Sequence, residues 1–204
     1  MSKADKVRKV LALAVDSVVD QIASGRIVCE NEATLQLHLS RAVMLAAELF
    51  LSDKNEVSFV ELERPWHGQR SGRIDLWFGF RIADGCETTC AVEMKFLKKV
   101  NHREPNNRYD VFSDILRLEE CKSMCDLAFV LVVTDHDHYH SQMSYSSGTS
   151  DFDFRHGSSY KAGEMMEYRT ANPYGPAFSL TGSYDFSWST ERNGFRYLLS
   201  EVVG

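Results

Sequence analysis

An α/β fold, with a mixed central sheet flanked by helices, is what this sequence predicts. Helical spacing fills the first fifty residues. Three strand-like runs then follow, two of them joined by a turn signal. A second helical stretch leads into an unbroken apolar run at Leu127 to Thr134, the mark of a strand buried on both faces.

The elements follow in order. Val7, Val10, Leu11, Ala14, Val15, Val18 and Ile22 recur at helical spacing, which predicts a packing helix over 3–23, closed by Ser24-Gly25. Leu35, Leu39, Val43 and Ala46 predict a second helix from Glu32 to about Leu51, with Asn31 as its N-cap and Glu32 in its first turn, where a carboxylate suits the helix dipole. The period then changes. Val57 to Glu63 reads as a strand broken by Pro65 and Gly68, and Arg73 to Arg81 as a second. Thr88 to Leu97 reads as a third, with hairpin chemistry in Ala83-Asp84-Gly85 between the last two. A basic loop around 101–107 precedes helical spacing from Tyr109 to Met124. A hairpin followed by a helical crossover implies a mixed sheet. Past residue 135 the pattern weakens: 141–160 reads as a long loop, Tyr184 to Ser189 as a late strand, and Phe195 to Val203 as a short closing helix. The 204 residues suit a single domain 1–204, with a core over about 32–134, the N-terminal helix 3–23 and a C-terminal extension 135–204.

Composition narrows the classes. No apolar run approaches the roughly 20 residues of a membrane span, and Asp16 and Asp20 interrupt the apolar stretch Val10 to Val15 too soon for a signal peptide. No membrane partner and a cytoplasmic location are therefore expected. Five cysteines, an odd count, argue for reduced thiols. Cys86 and Cys90, four apart on or beside a strand, would lie about 13 Å apart, and Cys121 with Cys125 alone make a poor zinc site. The net charge of −6 is not that of a nonspecific nucleic-acid binder, although duplex binding needs only local positive charge.

The chemistry is concentrated in two strands. In Ala91-Val92-Glu93-Met94-Lys95-Phe96, alternation sends Val92, Met94 and Phe96 to one side and Glu93 with Lys95 to the other. In Arg73-Ile74-Asp75-Leu76-Trp77-Phe78, the apolar side is Ile74, Leu76 and Phe78, and Asp75 falls opposite. Asp75 lies 9 residues before Asp84 and Glu93 lies 8 after Gly85, so a hairpin brings the two carboxylates face to face. Adjacent carboxylates repel unless a cation joins them, and Mg²⁺ binds through one or two carboxylates while keeping several waters. The reading that competes is a surface ion pair between Glu93 and Lys95 on an exposed sheet face.

Asp75, followed after a hairpin by Glu93-Met94-Lys95, resembles the core motif of the PD-(D/E)xK nuclease superfamily, and the order αβββαβ over 32–134 is similar to its restriction-endonuclease-like core. The resemblance implies a Mg²⁺-dependent endodeoxyribonuclease, with Mn²⁺ able to substitute, acting on DNA in restriction, phage defence or repair. It assigns metal binding to Asp75, Glu93 and the Met94 carbonyl, and water orientation and charge stabilisation to Lys95. Glu32 is the best match for the glutamate that many members add from the first core helix, ahead of Glu30 and Glu48. Ile74 stands where the naming proline would be. Many such nucleases pair as dimers, so a homodimer is expected.

Around this motif, Lys98, Lys99, Arg103 and Arg108 form either a phosphate-holding loop or solvated surface charge. Asp114 and Arg117 suit an i, i+3 pair, with substrate contact by Arg117 as the alternative. His136, His138 and His140 alternate, and an extended segment would put them on one face as metal ligands, substrate contacts or ordinary loop residues. The stretch Tyr145 to Tyr160 reads as base-stacking or as mobile surface loop, and Trp66 and Trp77 as packing or rim residues. A different function on the same fold is a non-cleaving nucleic-acid-binding or partner subunit, and a third is a regulatory protein whose His cluster senses metal.

Overall fold

The computed structural model describes residues 2–66, 72–82, 85 and 87–204. Two helices come first, α1 (Lys3–Ala23) and α2 (Glu32–Glu48). The hairpins β1 (Glu56–Trp66), β2 (Gly72–Ile82) and β3 (Glu87–Leu97) follow, then α3 (Glu104–Cys121) and β4 (Leu127–Thr134). Beyond these lie the one-turn α4 (Asp137–Ser141), the two-residue strands β5 (Ser159–Tyr160) and β6 (Tyr184–Asp185), and β7 (Arg196–Glu201). The main sheet runs β1-β2-β3-β4-β7, with β3 and β4 parallel and the other neighbours antiparallel. It is therefore a mixed sheet flanked by helices, as the hairpin and helical crossover require. Among the described residues, no helix is long and apolar enough to cross a membrane.

Each face of the sheet carries its own core. On one side α1 and α2 pack through Val7, Val10, Leu11, Leu35 and Leu39 onto Leu76, Phe78, Val92, Met94, Phe129 and Leu131. Asn31 caps α2, its side chain accepting from the Thr34 N–H. That helix stops at Glu48, short of Leu51, and Leu49 is left exposed. On the other side α3 packs through Val111, Phe112, Ile115 and Leu118 onto Ala91, Ala128, Val130 and Val132. The small side chains of Ala91 and Ala128 leave depth there for aromatic rings.

Several expectations need correction. The β1 strand runs through Pro65 to Trp66, since an edge strand tolerates proline; Gly68, Ala83, Asp84 and Cys86 lie outside the described residues. Between β2 and β3 the approach is so close at Gly79 that a Cβ would sit 2.1 Å from the Thr88 carbonyl oxygen, so only glycine fits. The helix α3 starts at Glu104, five residues before the apolar periodicity begins, with Pro105 in its first turn, where a missing N–H costs nothing. The closing segment is a strand and not a helix. Its side chains alternate, Phe195, Tyr197 and Leu199 packing on the α1–α2 side and Leu198 on the α3 side, and β4 offers the free edge that β7 fills.

The stretch 141–160 is the long irregular segment expected, but it is anchored in the core at Phe152, Phe154 and Tyr160, with Tyr145 left exposed. Phe152 and Phe154 are completely buried and with Tyr160 and Phe186 surround Phe112, while Phe178 packs on Phe152 and Trp188 on Phe154. Little regular backbone pairing is needed because side chains satisfy the chain. Glu119 accepts from the N–H groups of Thr181 and Gly182 and from the Tyr184 hydroxyl, and the Trp188 indole donates to the Phe154 carbonyl. Trp66 and Trp77 are packing residues in this same core.

Candidate active site

The site forms where two strands depart from regular pairing. The β2–β3 ladder ends at Leu76 opposite Val92. One step further, Asp75 bonds with its side chain: Oδ2 accepts the Met94 N–H at 2.7 Å. On the other flank Glu63 takes a left-handed conformation, φ 54°, opposite Asp75 in the otherwise continuous β1–β2 register. Such a backbone is uncommon for a residue other than glycine and gathers at functional positions. Gln36, one turn along α2 from Glu32, holds both strands there. Its Nε2 donates to the Asp75 carbonyl at 2.8 Å and to Glu63 Oε1 at 2.7 Å. The distortion also breaks the expected alternation: Ile74 packs on the α3 side, away from Leu76 and Phe78.

Glu93 and Lys95 share the α3 side of β3, as alternation requires, while Met94 is buried among the residues of the opposite face. Lys95 Nζ lies 2.8 Å from Asp114 Oδ2 and 3.7 Å from Glu32 Oε1, and donates to the Met94 carbonyl at 3.2 Å. Glu32, at the start of α2, thus reaches the cluster. Glu30 instead pairs with Lys98, and Glu48 accepts from the Ser58 hydroxyl. Asp114 and Arg117 form the i, i+3 pair at 2.6 Å, but both also face the site, Arg117 Nη1 lying 3.0 Å from Glu93 Oε1. The sequence reading missed that second role. The available signal was spacing: Asp110, Asp114 and Arg117 fall on one face of a helix that crosses directly over β3.

Charge is out of balance here. Glu32, Asp75, Glu93 and Asp114 face Lys95 and Arg117, an excess of two negative charges when all are ionised. Burial pushes the Glu93 carboxyl well above the usual carboxylate range, and the neighbouring charges of Asp114 and Asp75 push it further. Asp75 and Glu32 are also raised, chiefly by burial, with the opposing pull of Lys95 not fully compensating. Burial works against the charged form of Lys95, but Asp114 and Glu32 outweigh it and hold the ammonium charged. Asp75 and Glu93 act on each other electrostatically, and the charge of Asp75 helps to raise the Glu93 carboxyl, as neighbouring carboxylates do when no cation joins them.

The donor chemistry of these residues would suit a divalent cation. The excess of two charges matches it, and Glu93 Oε1, although buried beside Arg117, makes no aligned hydrogen bond among the described residues. Asp75, Glu93 and the Met94 carbonyl supply oxygen donors, the type that Mg²⁺ takes. Among the described residues no group of three or more His, Cys, Asp and Glu side chains is arranged to hold an ion. An ion held here would therefore bind through one or two carboxylates and keep several waters.

The basic residues separate. Lys99 and Arg103 are exposed, Arg103 reaching the Tyr174 hydroxyl at 3.3 Å, and Lys98 is held by Glu30. Arg108 is a correction: it lies inside α3, completely buried, paired with Glu104 and donating to the Gln142 carbonyl at 2.8 Å, so it is no part of a phosphate-holding loop. The histidines are corrected too. A turn of helix at 137–141 replaces the extended segment, so His136 and His138 lie together with Tyr145 while His140 turns to His156 and Trp188. Cys125 Sγ donates to the Cys121 carbonyl at 3.5 Å, an ordinary helix-end contact.

Comparison with family models, with curated proteins and with solved structures returns no match.

Proposed function

We propose that this protein is a Mg²⁺-dependent endonuclease that hydrolyses DNA phosphodiester bonds, on a restriction-endonuclease-like core of the PD-(D/E)xK type. The observation that carries the reading is the meeting of Asp75, Glu93 and Lys95, with Glu32, where the β2–β3 ladder opens. A bound Mg²⁺, or Mn²⁺ in its place, supplies an activated water and shields the phosphate charge. Asp75, Glu93 and the Met94 carbonyl would hold it, with Glu32 as a further carboxylate. Asp114 keeps the Lys95 ammonium charged and fixed, so that it orients the attacking water and stabilises charge developing on the phosphate. Gln36 fixes the Asp75 backbone, and Glu32 adds a carboxylate from the helix side. Lys98, Lys99 and Arg103 lie past the end of β3, where they position the nucleic-acid backbone. Two copies acting as a homodimer would present two sites to two strands.

The test is nicking of supercoiled plasmid by purified protein, with and without Mg²⁺ or Mn²⁺. Cleavage is expected only with the metal. Lys95→Ala is expected to lower the rate by about 10²–10³, the usual loss of one transition-state stabilising group, with an unchanged circular dichroism spectrum. Robust cutting by that variant would remove the role given to the lysine.

A second reading has its own observation. Asp114 engages Lys95 and Arg117 engages Glu93, so the cluster is partly closed on itself by protein cations. That suits a non-cleaving nucleic-acid-binding or partner subunit on the same fold. Calorimetry decides: heat of divalent-metal binding that vanishes in Asp75→Asn favours the nuclease, and no binding favours the subunit.

A further inference from the structure

A second site lies past the end of β3, separate from the carboxylate cluster. A cavity of about 240 Å³ opens there, and Lys98, Lys99, His102, Arg103 and His136 line it. It sits at the carboxyl ends of the parallel pair β3 and β4, the region where open α/β sheets take their ligands. The start of α3 forms another wall, with no side chain capping its first turn. The positive end of the helix dipole therefore adds to the charge of the side chains.

Of the three basic side chains facing this cavity, two are already engaged and Lys99 is the one that makes no ion pair among the described residues. Lys98 pairs with Glu30, and Arg103 is only 3.9 Å from Asp110 at its nearest approach. The Lys99 backbone N–H donates to Asp135 at 2.7 Å, and His102 and His136 add ring nitrogens able to donate to an anion. Glu104 lines the cavity as well, but its carboxylate is spent inward. One oxygen serves Arg108 and faces His138 Nε2 at 3.2 Å, and the other accepts from the Ser144 hydroxyl and the Tyr145 N–H. Burial first, then His138 and Lys99, lower the pKa of His136 against the opposing pull of Asp135 and Glu104, and so favour its neutral form. At one side stands Tyr145, largely exposed, its ring braced by stacking on His138 at 3.8 Å.

We infer that this cavity binds a phosphate monoester carried by a nucleoside, either the terminal phosphate of a nucleic-acid strand or a mononucleotide. The charge selects a dianionic group over the single charge of a phosphodiester. The volume falls below the roughly 300 Å³ at which pockets for drug-sized ligands begin, enough for a phosphoryl group and little of its sugar. Tyr145 offers a face on which the attached base stacks. Lys98 follows Lys95 by three residues of extended chain, about 10 Å, or roughly three nucleotide rises of 3.4 Å. Resting on the nuclease reading, that spacing makes the cavity a register for a strand end, so that cleavage falls a fixed few nucleotides from it.

The experiment measures binding of short single-stranded oligonucleotides in EDTA, where no cleavage occurs. Each sequence is compared with 5′-phosphate, 3′-phosphate and plain hydroxyl ends. One phosphorylated form is expected to bind at least tenfold tighter than the hydroxyl form. Lys99→Glu is expected to erase that preference, and Asp75→Asn to retain it. If Lys99→Glu fails to fold, exposed His102→Glu takes its place. Thymidine monophosphate competing as well as the phosphorylated strand assigns the site to a mononucleotide, and competition by the strand alone assigns it to a strand end. Equal affinity for all ends, or a preference that survives in folded Lys99→Glu or His102→Glu, overturns the inference. An intact preference in a protein that never cleaves removes the nuclease reading and leaves this one standing.

Discussion

The two faces of the sheet are built from different materials. Against one, α1 and α2 lay aliphatic stripes of Val, Leu and Ala in regular register. Against the other, α3 shares its core with rings from an irregular chain, Phe152, Phe154, Tyr160, Phe178, Phe186 and Trp188. The buried charges that could do chemistry, Glu93, Lys95, Asp114 and Arg117, all lie on this aromatic side, reached from the other layer only by Glu32 at the tip of α2. The lesson is a division of labour. One face supplies a repetitive support, and the other, freed from regular repeat, surrounds the site.

The comparison is broken most readily by truncating each core. Phe152→Ala is expected to cost about 3–5 kcal/mol and Leu39→Ala about 2–5 kcal/mol in denaturant unfolding. A loss near zero for Phe152→Ala would make the extension an appendage and undo the picture of two matched cores. Arg108→Ala is next. It leaves Glu104 buried without its main partner, an expected cost of about 3–5 kcal/mol, whereas loss of a solvated surface charge would cost under about 1 kcal/mol.

The third prediction concerns the site alone. Glu93, Asp75 and Glu32 have folded pKa values raised above their unfolded ones. The unfolded chain therefore releases these protons first as pH rises. Their contribution is fully present below about pH 4, the unfolded carboxylate range, and is lost as pH climbs through the folded values. Glu93→Gln removes the largest share of that loss, so its melting temperature relative to wild type should rise between pH 4 and pH 8. A difference that stays flat or falls with pH contradicts the raised carboxyl. Mg²⁺ should stabilise wild type by about 2.7 kcal/mol at a hundredfold excess over its dissociation constant, and more at pH 8 than at pH 5. Smallest of all, Asn31→Ala should cost about 1 kcal/mol through the lost cap of α2.

What the sequence made legible follows the same division. The α1–α2 face was readable because Val7 to Ile22 and Leu35 to Ala46 repeat at the helical period and Asn31 announces its helix. That β2 and β3 are neighbours was readable from the turn signal at Gly85, whereas the alternation expected around Asp75 fails at Ile74. The extension was not, because rings at irregular spacing carry no period. Phe195 to Val203 misled in another way: an apolar-rich run of that length suits either a helix turn or a strand, and only the open edge of β4 decides. Asp114 and Arg117 were legible as a pair and illegible as site residues, because crossing a helix over a strand is a tertiary fact. Lys98 to Arg108 looked alike as a basic run, yet burial turned Arg108 inward and left Lys99 and Arg103 outside.

The most direct test of the central claim is a crystal structure with Mn²⁺ soaked in, read by its anomalous signal. A single ion touching carboxylate oxygens of Asp75 and Glu93, beside the Met94 carbonyl, is the predicted result, with Lys95 still close by. An ion bound only at His136 and His138, or no ion while the two carboxylates stand apart, would contradict it.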